Sequence, residues 1–283
     1  MRKRTWLFPL LCLLLLLLAA CGTSESTQGD TSQGTETETA EENTDAQDEG
    51  EATSDSKETY VVATDNGYVP FEYLDPDTGE LIGFDIDLIH ALAEEAGINI
   101  EIETMEFDGV VAGISSGRFD IGIAGMTITE ERKENIDFSQ PYYDAGLVLA
   151  VHVDNEEIQS IDDLAGKTVT TRVGSTSETF ITNETEGIPE AFPQITEAYQ
   201  NVITGRSDAT LYDLPNVQYY ASTEGGGQLK IVGDRLTGEQ YGIAFPKGSP
   251  LRDKIDAALT ELMENGTYGD IYEKWFDERP EGM

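Results

Sequence analysis

The strongest constraint on this fold is an alternation that begins at Tyr60, where short apolar runs trade places with stretches whose apolar residues recur at helical spacing. "YVVAT" (60–64) reads as a first strand. "GFDIDLIHALAEEAG" (83–97) reads as a helix, with Ile86, Ile89 and Ala93 on one face, Leu88 and Leu92 beside them, and Gly97 as its stop. "INIEIETM" (98–105) is strand-like, "FDGVVAGISSG" predicts a helix ending near Gly117, and "FDIGIAGM" (119–126) is the next strand. This order predicts an α/β chain with mainly parallel sheets.

A second set begins near residue 146 with the apolar run "GLVLAVHV" (146–153), long enough to cross between two lobes. A short capped helix ("SIDDLAG"), a strand ("KTVTTRVG"), a helix ("STSETFITNE"), a strand ("DATLYD"), a helix ("LPNVQYYAST") and "LKIVGD" follow. "QYGIAFPKGS" (240–249) reads as a second long strand, and amphipathic helix completes the chain. The pattern predicts an interrupted first lobe made of 59–146 and 242–283, with 147–241 as the second lobe. Two crossing strands would form a hinge that lets the lobes close around a ligand. Ligands in α/β sheets gather beyond the carboxyl ends of strands. Asp65, Thr127, Arg172 and Asp213 all fall at such ends.

The segments ahead of the alternation carry a different signal. Arg2, Lys3 and Arg4 precede the apolar run Leu11–Leu18, and Ala19, Ala20 and Cys21 supply small residues for processing, so 1–20 reads as a leader. Leu18-Ala19-Ala20-Cys21-Gly22 resembles the bacterial lipoprotein signal, which implies a lipid on Cys21 and an extracytoplasmic protein anchored to the cell membrane. Loss of Cys12 with the leader leaves Cys21 without a disulfide partner, so the fold must rest on its core. Residues 22–58 hold twelve acids and one lysine and almost nothing to bury, which predicts a disordered, self-repelling tether. Beyond it, 43 acids face 13 bases, a surface that repels nucleic acid and anionic lipid. Bases are scarce, so a buried one is informative.

Arg132 is the first of these. In "GMTITEER" a strand meets a helix whose predicted N-cap is Thr129, with Glu130 and Glu131 in the first turn. An arginine there is either a surface ion pair or a clamp for a carboxylate, which a guanidinium fork fits in bidentate geometry. "RVGSTSE" (172–178) opens another helix after a strand, with Gly174 permitting close approach. Facing turns would hold an α-carboxylate between Arg132 and N–H groups near Thr127 and Thr176. Asp213, before Leu214-Pro215, would take an ammonium group or else cap the following helix. Together they provide the fixed cation and fixed anion that a zwitterion requires. Tyr68 and Phe107 either sandwich an aliphatic side chain or belong to the core, and Asp65 and Arg172 could address its polar tip.

With these residues in view, the chain is similar to the extracytoplasmic solute-binding proteins of polar amino acid ABC importers, family 3, and within them to the glutamine-binding members. "VVATDNGYVPFEY", "GFDIDL", "GIAGMTITEERKENIDFSQPYY", "IDDLAGKTV", "DATLYDLPN", "QYGIAFPKGS" and "ENGTYGDIYEKWF" carry the likeness, in order. The resemblance implies a periplasmic-binding-protein-like fold, two α/β lobes on two hinge strands with one L-amino acid between them. It further implies a monomer that hands its ligand to a membrane permease, without cofactor or metal. It assigns Arg132 to the α-carboxylate and Asp213 to the α-ammonium. Ala124, Gly125 and Thr127 line the same clamp, with Thr176 opposite. Tyr68 and Phe107 match the aromatic walls, and Asp65 a side-chain-reading acid. Arg172 stands where glutamine-binding members have lysine and Tyr212 where they have histidine, so glutamine is favoured while other polar or basic amino acids stay open.

The competing class is an enzyme, a dehydratase of small carboxylic acids on the same scaffold. It would need a general acid in the cleft, and Asp213 is committed to an ammonium. No G-x-x-x-x-G-K-[ST] loop is present for ATP hydrolysis. His90 and His152 are too far apart in sequence to suggest a histidine metal site.

Overall fold

The computed structural model of the protein describes residues 58–280. The leader, Cys21 and the tether up to residue 57 lie outside the described residues, as do residues 281–283. No described helix is long and apolar enough to cross a membrane.

Two five-stranded sheets organise the rest. The first runs in the order Asn99–Thr104, Thr59–Thr64, Ile121–Gly122, Ala244–Pro246, Ile136–Phe138. Its first three strands are parallel, and Ala244–Pro246 enters antiparallel to both neighbours. The second runs Ile188–Phe192, Thr168–Arg172, Ala209–Asp213, Leu147–His152, Leu229–Val232. Again three strands are parallel, while Leu147–His152 pairs antiparallel with both neighbours. The sheets are therefore mixed rather than mainly parallel. A strand that enters a sheet from the other half of the molecule comes without a crossover helix, so nothing forces it to run parallel.

The expected crossing strands need a second correction. Leu147–His152 lies wholly inside the second sheet, with Leu147, Leu149 and Val151 in one core cluster and Val148 and Ala150 in another. That alternation is the period of two of a strand buried on both faces. The connection between lobes is made instead by Tyr143–Asp144, paired antiparallel with Gln240–Tyr241. "QYGIAFPKGS" is not one long strand but two short ones, Gln240–Tyr241 and Ala244–Pro246, interrupted at Gly242-Ile243. "FDIGIAGM" likewise pairs only over Ile121–Gly122.

Helices cover the sheets as the apolar spacing dictates. Phe84–Ala96 buries Phe84, Ile86, Leu88, Ile89, Leu92 and Ala93, and Gly97 ends it in the left-handed region at φ 64°. It packs against Leu251–Glu264, which buries Ile255, Leu259 and Leu262. Each such aliphatic side chain contributes about 1.5–3 kcal/mol on burial. Thr267–Phe276 closes the chain over the hinge, stacking Tyr272 on Tyr143 at 5.6 Å. The second lobe is covered by Thr176–Glu184 and by Ile195–Ile203, whose Ile195, Ala198, Tyr199 and Val202 are buried.

Candidate functional site

The strand ends singled out in the sequence converge between the two lobes. From the first lobe, Asp65 follows strand Thr59–Thr64, and Tyr68 and Phe107 lie just beyond the strand ends; all three are buried. From the second lobe come Arg172 and Asp213, the last residues of strands Thr168–Arg172 and Ala209–Asp213, also buried. Thr176 opens the helix Thr176–Glu184, whose N-cap Ser175 accepts a hydrogen bond from the Glu178 N–H.

Arg132 bridges the lobes. It belongs to the one-turn helix Glu130–Lys133, whose N-cap Thr129 accepts from the Arg132 backbone N–H at 3.1 Å. Its Nη1 donates to the Thr127 carbonyl at 2.8 Å, and its Nη2 to the Gly174 carbonyl of the other lobe at 3.1 Å. Burial pulls its pKa below the ordinary arginine value, against the pull of Asp213 and Glu239, and at neutral pH it remains a cation. The two arginines lie over one ring, with guanidinium carbons 5.3 Å (Arg132) and 5.2 Å (Arg172) from the Phe107 centroid.

The far end is closed by an ion pair. Arg172 Nη2 donates to Asp65 Oδ2, and its Nε to the Pro193 carbonyl at 3.2 Å. Asp65 Oδ1 accepts from the N–H groups of Asn66 and Gly67. Asp65 and Arg172, expected to address a ligand tip, thus also bind each other.

Asp213 is the central anion. Its Oδ2 accepts from the hydroxyls of Tyr68 at 3.0 Å and Tyr241 at 2.5 Å. Burial raises its pKa, and the two phenols and the arginines oppose that rise. Tyr68 stacks on Phe71 with centroids 5.1 Å apart and meets Tyr212 edge-on at 5.9 Å. Beneath this layer Gly125, at φ +52°, gives its N–H to Asp85 Oδ2 at 2.9 Å. A Cβ there would stand 2.3 Å from Tyr68 Cε1, so only glycine allows the main chain this close to the ring. Ala124 is buried beside it.

Sequence reasoning missed two participants, both on the second hinge strand or just before it. Tyr241 reaches Asp213. The Glu239 carboxylate accepts from Thr176 Oγ1 at 3.1 Å and Thr127 Oγ1 at 3.5 Å, spanning the lobes. Burial and nearby Asp213 push Glu239 up to about 7, against the pull of Thr176, Arg132 and Thr127. A cavity of about 720 Å³ adjoins this end, lined by residues that include Arg132, Gly174, Thr176 and Glu239. Among the described residues no cluster of three or more histidine, cysteine or acidic side chains is arranged to hold a metal.

Two α/β lobes on a pair of short hinge strands, with charged and aromatic side chains meeting between them, define a hinged binding protein. The chain belongs to the bacterial extracellular solute-binding proteins, family 3, whose model matches residues 60–278. It is 33% identical to the arginine-binding extracellular protein ArtP of Bacillus subtilis (strain 168), over 93% of this chain and 97% of that protein. It is also 33% identical to the ABC transporter glutamine-binding protein GlnH of the same organism, over 94% of each chain. Among solved structures, an ancestral arginine-binding protein bound to glutamine is 43% identical and superposes with a TM-score of 0.74, covering 78% of this chain and 99% of that one.

Proposed function

We propose that the protein captures one polar L-amino acid between its lobes and delivers it to an ABC permease, held at the outer face of the cell membrane by a lipid on Cys21. The observation that supports this reading is that Arg132 and Asp213 lie close enough for each to shift the other's ionisation, with the Phe107 ring under the Arg132 guanidinium and the Tyr68 hydroxyl on Asp213. Arg132 and the Thr127 and Thr176 hydroxyls suit an α-carboxylate. Asp213 suits an α-ammonium, with desolvation on closure strengthening both attractions.

Glutamine is the favoured ligand. The Asp65–Arg172 pair offers one acceptor and one donor at the side-chain end, the complement of a carboxamide, and its charges offset one another. A guanidinium or ammonium tip would meet the Arg172 cation as well as the Asp65 anion. Relatives that bind arginine and glutamine support the ligand class equally.

Calorimetric titration of the full chain with a panel of L-amino acids tests the reading. Saturable one-to-one binding, tightest for glutamine and without turnover, is expected. Silence across all polar and basic amino acids would end it. Membrane fractionation of Cys21→Ser tests the anchor, with release of the protein expected.

A further inference from the structure

Glu239 and Tyr241 sit two residues apart at the second hinge crossing, and extended backbone sends such residues to the same side. The strand is tightly held: Ala145 N–H donates to the Glu239 carbonyl, Ile128 N–H to that of Gln240, and Tyr142 N–H to that of Tyr241. Gln240, between them, points the other way and donates to Asp144 Oδ1 at 2.8 Å on the exposed side. Glu239 and Tyr241 face the cleft. One places a carboxylate against the hydroxyls of Thr127 and Thr176, in the field of Arg132, and the other places a hydroxyl donor on Asp213.

We infer that this segment of the hinge is a built-in competitor for the binding site, with the Glu239 carboxylate standing in for the ligand's carboxylate and the Tyr241 hydroxyl for its ammonium group. The inference rests on reading the cleft as an amino-acid site. Its consequence is a coupling that needs no contact at a distance. An incoming zwitterion must displace both side chains, and both are carried by the strand on which the lobes turn, so ligand occupancy acts on the hinge directly. Thr127 belongs to the first lobe and Thr176 to the second, so the Glu239 bridge also favours closure before ligand arrives.

The competition depends on charge. An ionised Glu239 repels a ligand carboxylate beside Arg132, and a protonated one does not. The charges acting on it are Asp213 on its strand end and Arg132 on the short helix, and Glu131, Glu178 and Glu184 line the adjoining cavity. Glu178 is occupied by the Gly174 N–H at 2.8 Å. With Glu239 pushed up to about 7 by burial and Asp213, its charge changes within the neutral range. Amino-acid affinity therefore rises as pH falls from 8 to 6.

The test compares wild type, Glu239→Gln and Glu239→Ala in the full chain. Glutamine keeps a hydrogen-bond acceptor for the two threonines and removes only the charge. Calorimetry with the tightest-binding amino acid should show Glu239→Gln binding about threefold to tenfold more tightly than wild type at pH 8, with the difference vanishing at pH 5.5. Equal or weaker binding by Glu239→Gln at pH 8 overturns the inference. If no amino acid binds wild type or variant, the reading of the cleft has failed, and solution scattering of the ligand-free proteins decides the hinge role. A larger radius of gyration for Glu239→Ala supports the bridge, and an unchanged radius overturns it.

Discussion

Arg172 and Asp65 meet at the deep end of the cleft as a fully closed ion pair, with side chains 1% and 0% exposed, joining the ends of strands from the two sheets. A pair this dry is held by its partners rather than by Coulomb attraction alone: the Pro193 carbonyl takes Arg172 Nε, and two backbone N–H groups take Asp65 Oδ1. Removing one partner strands the other charge in the interior. Arg172→Met should destabilise the protein by about 3–5 kcal/mol in denaturant unfolding. The double variant Asp65→Asn/Arg172→Met should recover part of that loss, because it buries no lone charge. A double variant no more stable than the single would show that packing against Phe107, and not the ion pair, dominates the position.

Arg132 and Asp213 are expected to separate binding from stability. Arg132 is only half-buried and donates to two carbonyls that water can reach on its loss, so Arg132→Ala should cost about 1 kcal/mol of stability. Its effect on amino-acid affinity should be far larger, about thirtyfold or more, and Asp213→Asn should match it while keeping the side chain's shape. Calorimetry and thermal unfolding on the same samples check both halves. Wild-type affinity in Arg132→Ala would make that arginine a structural link between Thr127 and Gly174 and nothing more.

The sequence made the scaffold readable where periodicity was strong and hid it where elements were short. The helix Phe84–Ala96, with its Gly97 stop, and the strand ends at Asp65, Arg172 and Asp213 follow from apolar spacing and turn residues. Thr129 as N-cap follows from the two acids after it. The hinge does not: Tyr143–Asp144 and Gln240–Tyr241 are two residues each, too short to show any period. Strand Ile188–Phe192 carries a proline and exposed side chains at an edge, so no apolar run announces it. Helix Ile195–Ile203 follows Pro193 through the N-cap Gln194, whose side chain makes no cap hydrogen bond, so no capping residue marks its start. Glu239 lies in "TGEQ", which looks like any acidic loop in a chain with so many acids. Only the fold, by pairing Thr127 with Tyr241 as an isolated bridge, brings it beside the threonines.

Gly125 offers a steric test of the cleft floor. Alanine there would have to adopt φ +52° and drive its Cβ into the edge of Tyr68, which is itself fixed between Phe71 and Asp213. Gly125→Ala should lower stability by about 1–3 kcal/mol and move Tyr68 off Asp213. Tyr68→Phe lacks the hydroxyl but keeps the ring, so it separates the two effects: it should weaken the Asp213 network without the steric cost. If Gly125→Ala unfolds at the wild-type denaturant midpoint, the contact between Gly125 and the ring is not tight in solution.

Glu72 and Asp85 form a second buried acid pair beneath the site, and its pH dependence can be worked out. Both are fully buried. Among the described residues Glu72 Oε1 and Oε2 and Asp85 Oδ1 have no hydrogen-bond donor, and the two carboxyls interact with each other, while Asp85 Oδ2 accepts from Gly125 N–H and Tyr142 OH. Burial and the neighbouring acids favour keeping a proton on these two carboxyls. Burial, then the Asp85 and Asp65 charges, push Glu72 well above the usual carboxylate range, and burial pushes Asp85 up to about 6. Below about pH 4 the unfolded chain is protonated too, so the pair costs nothing there. Above that the unfolded acids ionise while the native pair keeps its proton. The native state then binds more protons, and stability falls as pH rises until the native pair has titrated. Glu72→Gln supplies a permanent N–H donor to Asp85 and removes one ionisable group. Its unfolding free energy should match wild type near pH 4 and exceed it by pH 8, by about 1–3 kcal/mol. A difference that stays constant from pH 4 to 8 would mean that Glu72 keeps no proton and that its burial is compensated in another way.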